Sequence, residues 1–492
     1  MNPKLLMSSL LLFLLVSIEG AGQGPAGPSA GGPRGGAASA AGTVAGTVRG
    51  AAAVEDALLI RRLADTILTD RKTYGDLRKL TKTVGQRLSG SAGYYKAEIW
   101  GQQALEEAKA DRVWLQECMV PHWIRGGKDS ANFRASDNVV VMDRPLDILA
   151  LGNSIGTGPK GIRAPVILIH NFDELERRKD EVKGKIVFYN YKFNPLFIET
   201  FRAYGDAVRY RGAGASRAAK YGAVAVLVRS MSSSLDNNPH TGALNYNDSF
   251  PKIPAAAIGL ADADYMEAWM TNKADFSAYL RTNGQMLPDT LAHNVIGELK
   301  GSEFPDQVIT VGGHLDSWDP AEGAMDDGAG CVQSIEVLRA LKAIGYQPRH
   351  TIRVVLFANE ENGGRGGRKY AEAAKANGET HLLGLESDAG GFTPRAFSLS
   401  LPEDKLTTIR PWLDLLRPYG VYAFDKGGGG SDVGPLEPVL GAVVGELHPD
   451  SQRYFDIHHS RADVLENVNK RELELGAINM AALIYLVDKY GW

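Results

Sequence analysis

Four apolar runs in the second half of the chain end at residues that are costly to bury alone. Gln307–Gly313 leads into His314-Leu315-Asp316, and Thr351–Asn359 into Glu360-Glu361. Leu382–Leu385 leads to Glu386-Ser387-Asp388, and Gly441–Leu447 precedes the loop carrying His458-His459-Ser460. Short apolar runs alternating with helical patterns predict buried strands of a parallel sheet with crossover helices. Helices are predicted over Gly330–Leu341 and Lys470–Tyr490. The expected fold class is α/β, a mixed, mostly parallel sheet flanked by helices.

Upstream, Val54–Ala110 has helical spacing, with Leu77, Leu80 and Val84 and then Ile99, Trp100, Ala104 and Leu105. Strands are predicted at Val113–Val120 and Asn138–Met142. Near residue 145 the texture changes. Ile148–Leu151, Ala164–Ile169, Lys185–Asn190, Ala223–Val228 and Ala255–Gly259 are short apolar strands between Gly/Pro turns, with a helical patch at Ser216–Tyr221. From the residues alone, this segment is a small β-rich α/β domain. Strand–helix alternation returns at His293. The expected organisation is a main domain in two parts, 56–145 and 291–492, interrupted by an insertion over 146–290.

The N-terminus changes the picture. Lys4 precedes an apolar stretch, Leu5–Ile18, and small residues follow at Gly20-Ala21-Gly22. That reads as a secretory signal over 1–22, too short to span a bilayer, and predicts a secreted or periplasmic protein. Residues 23–55, mostly Gly, Ala, Pro, Ser and Thr, read as a flexible spacer. The formal charge of −4, without a Lys/Arg stripe, argues against nucleic acid as a partner. The two cysteines, Cys118 and Cys331, are expected to be packed free thiols.

The chemistry lies at the strand ends, where ligands gather in open α/β sheets. Asp326-Asp327 follows His314 inside Gly323–Gly330. His314, Asp326, Glu361, Asp388 and one of His458 and His459 make a nitrogen and oxygen ligand set that suits zinc. Five ligands are one too many for a closed tetrahedral ion and fit two metals sharing a bridging carboxylate. Glu360, left over beside a ligand, is the natural general base. The single-zinc signature His-Glu-x-x-His is absent.

These residues carry a resemblance. Gly313–Asp319, Gly323–Gly328, Glu360-Glu361, Glu386–Gly390 and His458–Ser460 resemble the co-catalytic zinc exopeptidases of the aminopeptidase Y, glutamate carboxypeptidase II and carboxypeptidase Q group, carboxypeptidase Q most of all. Arg87–Ser91, Asn294–Gly301 and Pro239–Gly242 fit as well. The resemblance implies two Zn2+ per chain. His314 and Asp388 would hold one, and Glu361 with the C-terminal histidine the other. Asp326 would bridge them, a cis peptide would follow it, and Glu360 would serve as acid/base. His459 is the expected ligand because Ser460 and Asp463 follow it in the family's form, and neighbouring side chains on an extended loop diverge. His458 is then left to the substrate pocket or to packing.

Asp316 is expected to orient His314 from outside the ligand set, with Asp327 also supporting the site. Ser431 and Asp432, after the Gly427–Gly430 run, and His240 are candidate pocket residues. The insertion resembles a protease-associated domain. The implied activity is a secreted metalloexopeptidase cutting dipeptides or short peptides. The alternatives are an aminopeptidase of the same group, an N-acyl amino acid deacylase, and, least favoured, a non-catalytic binding ectodomain. The expected partner is a short peptide, with no nucleic acid and no stable membrane anchor; a homodimer is left open.

Overall fold

The computed structural model describes residues 40–136, 141–271 and 275–492. The chain divides into two compact units, Met1–Ala53 and Val54–Trp492, and both sheets lie within the second. The expected signal peptide and residues 23–39 of the expected spacer lie outside the described residues. The rest of that stretch, 40–55, is not a spacer, because a helix runs over Ala40–Asp70. This part contains no proline, and its commonest residue, alanine, has the highest helix propensity.

β1 (Arg112–Ile124) opens the larger sheet. The chain then builds a second sheet from β2 (Ser130–Ser136), β3 (Val141–Leu146), β4 (Ile148–Ala150), β5 (Ile162–Ile169), β6 (Ile186–Tyr189), β7 (Ala225–Arg229), β8 (Ala255–Ile258) and β9 (Asp275–Arg281). It returns with β10 (Gln285–Leu299), β11 (Phe304–His314), β12 (His350–Phe357), β13 (Thr380–Glu386), β14 (Pro394–Leu399), β15 (Ala423–Lys426) and β16 (Val443–Pro449). The larger sheet has the order β1-β10-β12-β11-β13-β16-β14-β15, and the second β3-β2-β9-β5-β6-β7-β8-β4. The expected mixed α/β architecture is observed.

The boundaries differ from those expected. β2 pairs with β3 and with β9, so the second sheet begins at Ser130, not at 146. It ends at Arg281, since β10 pairs with β1 and β12 in the larger sheet. The alternation Ala131, Phe133, Ala135 identifies a half-buried strand but says nothing about which distant strand it pairs with. Of the strand predicted over Asn138–Met142, residues 138–140 lie outside the described residues, and β3 begins at Val141.

The central strands β12, β11, β13 and β16 run parallel. β12 is buried on both faces, as its Val354–Phe357 run predicts, and the buried Arg353 within it is paired with Glu298 and Glu379. Ile352, Val354 and Leu356 pack with the helices Ala329–Ala343 and Lys470–Tyr490. Val355 and Phe357 face Tyr370 and Leu436 on the other side. Helix Ala329–Ala343 lies very close to the sheet: a Cβ at Gly330 would sit 1.8 Å from the Ser387 carbonyl oxygen. Cys118 and Cys331 are buried free thiols, as expected.

Because these strands run the same way, their carboxyl ends share one edge. His314 lies opposite Phe357, and Gly312 opposite Glu386. Glu360-Glu361 and Asp388, which come after those strands, therefore emerge beside His314. Arg125, in the crossover to the second sheet, clamps this edge. It binds Asp319 through two bonds of 2.7 and 2.6 Å, Asp129 at 3.1 Å and the Ala150 carbonyl at 2.7 Å.

Candidate metal centre

His314 is held from behind. Asp327 Oδ2 accepts its backbone N–H at 3.1 Å, and its Nδ1 donates to the Asp316 carbonyl at 3.0 Å. That tautomer leaves the Nε2 lone pair pointing outward. Nε2 lies 3.1 Å from Asp326 Oδ1 and 3.1 Å from Asp388 Oδ1. His459 repeats the arrangement. Its Nδ1 faces the Thr241 carbonyl at 3.3 Å, and its Nε2 lies 3.1 Å from Asp326 Oδ2 and 3.1 Å from Glu361 Oε2. Asp326 thus offers one oxygen to each imidazole. The peptide bond after it, Asp326–Asp327, is cis.

These residues fit zinc. With bonds of about 2.0–2.1 Å and tetrahedral angles, two donors on one ion lie about 3.3 Å apart, close to the spacing seen. Asp326 Oδ2 is buried and makes no hydrogen bond, a state that a cation relieves. Ligand atoms of His314, Asp326 and Glu361 all lie within 4.8 Å of one another, as do those of Asp326, His458 and His459. The donors are imidazoles and carboxylates, with no thiolate among them.

Charge crowding points the same way. Burial, then the charge of Asp326, pushes Glu361 up to about 8. Burial pushes Asp388 up to about 6 against the pull of His314. Burial would lower His459, yet Glu361 and Asp326 raise it to about 10. Asp326 stays well below the usual range; burial would lift it, but the imidazoles of His314 and His459 set against it outweigh that.

Residues 294–484 match peptidase family M28. Carboxypeptidase Q of Homo sapiens is 36% identical over 416 residues, covering 85% of this chain and 85% of the human protein. The chain belongs to peptidase family M28. It is a zinc-dependent metallopeptidase. A crystal structure of a peptidase M28 precursor from Shewanella amazonensis has TM-score 0.83 at 31% identity, covering 88% of this chain and 96% of that one. A zinc aminopeptidase from Bacillus subtilis shares the fold, with TM-score 0.60 at 19% identity, covering 85% of this chain and 95% of the other.

Around the M28 centre, each expected residue has a definite place. Asp316 supports His314 through its main-chain carbonyl, not mainly its carboxylate, which is 3.7 Å away. Asp316 Oδ1 instead accepts the Glu360 N–H at 3.1 Å. Asp327 also accepts the Gly330 N–H at 2.8 Å. Glu361 Oε1 accepts the Trp318 N–H at 3.0 Å, and Glu360 is partly exposed beside it.

His458 and His459 do not diverge. Their rings stack with centroids 3.6 Å apart, because His459 adopts φ 58° and turns the chain back. His458 Nε2 lies 3.5 Å from Asp326 Oδ2, but of the two only His459 pairs with Glu361. Ser431 is exposed, whereas Asp432 is buried beside Glu386, which accepts its N–H at 3.0 Å. His240 is buried, and burial lowers its pKa to about 4, so it is neutral.

Three supporting groups have no site-like signal in the sequence. Arg87, fully buried, donates to the carbonyls of Leu315 at 2.6 Å, Glu322 at 2.6 Å and Gly323 at 2.7 Å, tying down both loops that lead to the centre. Thr241, from the second-sheet segment, binds His459 at both ends, its N–H reaching the His459 carbonyl at 2.9 Å. Arg211 reaches the Thr241 carbonyl and His459 Nδ1, both at 3.3 Å. Arg87 and Thr241 lie in stretches that share the family resemblance, but their partners are main-chain atoms.

The raised pKa values have a measurable consequence. A carboxyl raised by folding keeps a proton that the unfolded chain would release, so its contribution is present at low pH and lost as pH rises through the folded value. Glu361 and Asp388 place that window between about 4 and about 8. His459, also raised, adds the same sign at higher pH. Metal-free protein should melt at a lower temperature near pH 8 than near pH 5. Zinc should stabilise it more at the higher pH, where fewer protons must be displaced. Melting curves with and without chelator measure both, and a metal-free protein that gains stability toward pH 8 would contradict the charge crowding.

Proposed function

We propose that the chain is an exported exopeptidase that uses two zinc ions to hydrolyse dipeptides or short peptides. The observation that carries this is Asp326, which presents one carboxylate oxygen to the His314–Asp388 pair and the other to the His459–Glu361 pair. When bound, the zinc pair supplies Lewis-acid polarisation of the scissile carbonyl and lowers the pKa of a water. Glu360 takes the proton of the attacking water and returns it to the leaving amine nitrogen. Its main chain is fixed for this by Asp316. A narrow cleft beside Asp326 is lined by Trp318, Pro320, Ala321, Glu361, His459, Ser460 and Asp463.

Arg211 supports recognition of a free C-terminal carboxylate. Its guanidinium is buried beside His459, meets no carboxylate within ion-pair distance among the described residues, and leaves Nε unpartnered. Nη2 donates to the Tyr204 hydroxyl at 2.6 Å and Nη1 to the Thr241 carbonyl at 3.3 Å, so Nε is the donor left for a carboxylate ligand of this buried cation. Export rests on the Lys4-to-Gly22 pattern. Among the described residues no helix is long and apolar enough to cross a membrane.

Two experiments test this reading. Glu360→Gln should retain both zincs and lower kcat by about 10²–10⁴-fold, because proton transfer is lost while the ligands remain. Glu361→Gln should instead lose zinc from one site. Equal metal loss in both variants would show that their roles are misassigned. The second is a panel of free, N-acetylated and C-amidated dipeptides. Free dipeptides should be cut and C-amidated ones poorly cut, and Arg211→Gln should raise KM for the free peptides by about 10–100-fold. Preference for C-amidated substrates with a free amine would instead identify an aminopeptidase, and preference for N-acetylated ones a deacylase.

A further inference from the structure

Asp463 lies four residues beyond His459, is buried, and belongs to neither imidazole–carboxylate cluster. Its carboxylate is committed to the main chain immediately before Asp326. Oδ1 accepts the N–H of Ala324 at 2.9 Å and of Met325 at 2.6 Å, and Oδ2 accepts the N–H of Asp326 itself at 3.3 Å. The Asp463 carbonyl also accepts the Glu322 N–H at 3.1 Å. One residue therefore binds four amides within Glu322–Asp326. The loop that delivers His459 thus also fixes the backbone from which the shared carboxylate projects.

We propose that Asp463 is a positioning residue that sets the Asp326 carboxylate for both metals at once. This rests on the two-zinc reading above. A carboxylate accepting three amides holds them in one geometry. An asparagine of the same size would present an NH2 to at least one N–H and release that part of the turn. Since Asp326 is shared, its displacement would weaken both sites together, whereas loss of a private ligand weakens one.

The test is zinc titration of metal-free wild-type, Asp463→Asn and His459→Ala proteins against a competing chelator, with melting of the same metal-free samples. Wild type should bind two zincs. His459→Ala should lose one and keep the other. Asp463→Asn should bind both about 10–100-fold more weakly while its metal-free form remains folded. If the Asn variant is unfolded at the assay temperature, Asp463→Glu replaces it, since its carboxylate, displaced by one methylene, should weaken both sites too. Wild-type affinity in the variant used, or loss confined to the site of His459, would overturn the role of Asp463. A wild-type protein that binds a single zinc would overturn the two-metal reading instead.

Discussion

Carboxylates brought together out of water repel one another, and this repulsion is the constraint that organises the molecule. Two unit charges about 4 Å apart interact with about 4 kcal/mol even at an effective dielectric of 20. Asp326, Glu361 and Asp388 meet at one sheet edge, with Asp316, Asp327 and Glu360 close behind them and the imidazoles of His314, His459 and His458 facing the ligand oxygens. Such a group is tolerable when cations complete it. Parallel β12, β11 and β13 deliver most of these groups to the same edge, and the loop after β16 brings His459 to them.

Three acids outside the ligand pairs spend carboxylate oxygens on backbone amides. Asp327 holds the His314 amide, Asp316 the Glu360 amide, and Asp463 those of Ala324, Met325 and Asp326. Glu361 does both, with one oxygen on the Trp318 amide and the other toward His459. These bonds fix where each ligand side chain leaves the main chain. The second-sheet segment takes part as well, because Thr241 pairs with His459 at both its amide and its carbonyl.

How much of this the sequence discloses depends on the kind of signal. Apolar runs ending in His or acidic residues reveal the central sheet and the ligand cluster, because burial cost makes such endings informative one strand at a time. Pairing is different. That β2 joins β9 depends on strands far apart in the chain, and the alternation within β2 carries no record of it. The helical state of residues 40–55 is hidden by the glycines that make the segment resemble a spacer. The stacking of His458 on His459 depends on one left-handed residue in a non-glycine position, which no side-chain pattern announces. The spacing from His314 puts Asp316 beside it correctly, but the carbonyl and carboxylate of Asp316 have separate uses that spacing does not distinguish.

The central claim is that Asp326 is shared between two metals. Anomalous diffraction at the zinc absorption edge, on crystals of the zinc-loaded protein, tests it most directly. Two peaks are predicted on opposite oxygens of Asp326, one also contacting His314 and Asp388 and the other His459 and Glu361. A single peak, or a second one away from Asp326, would contradict the account.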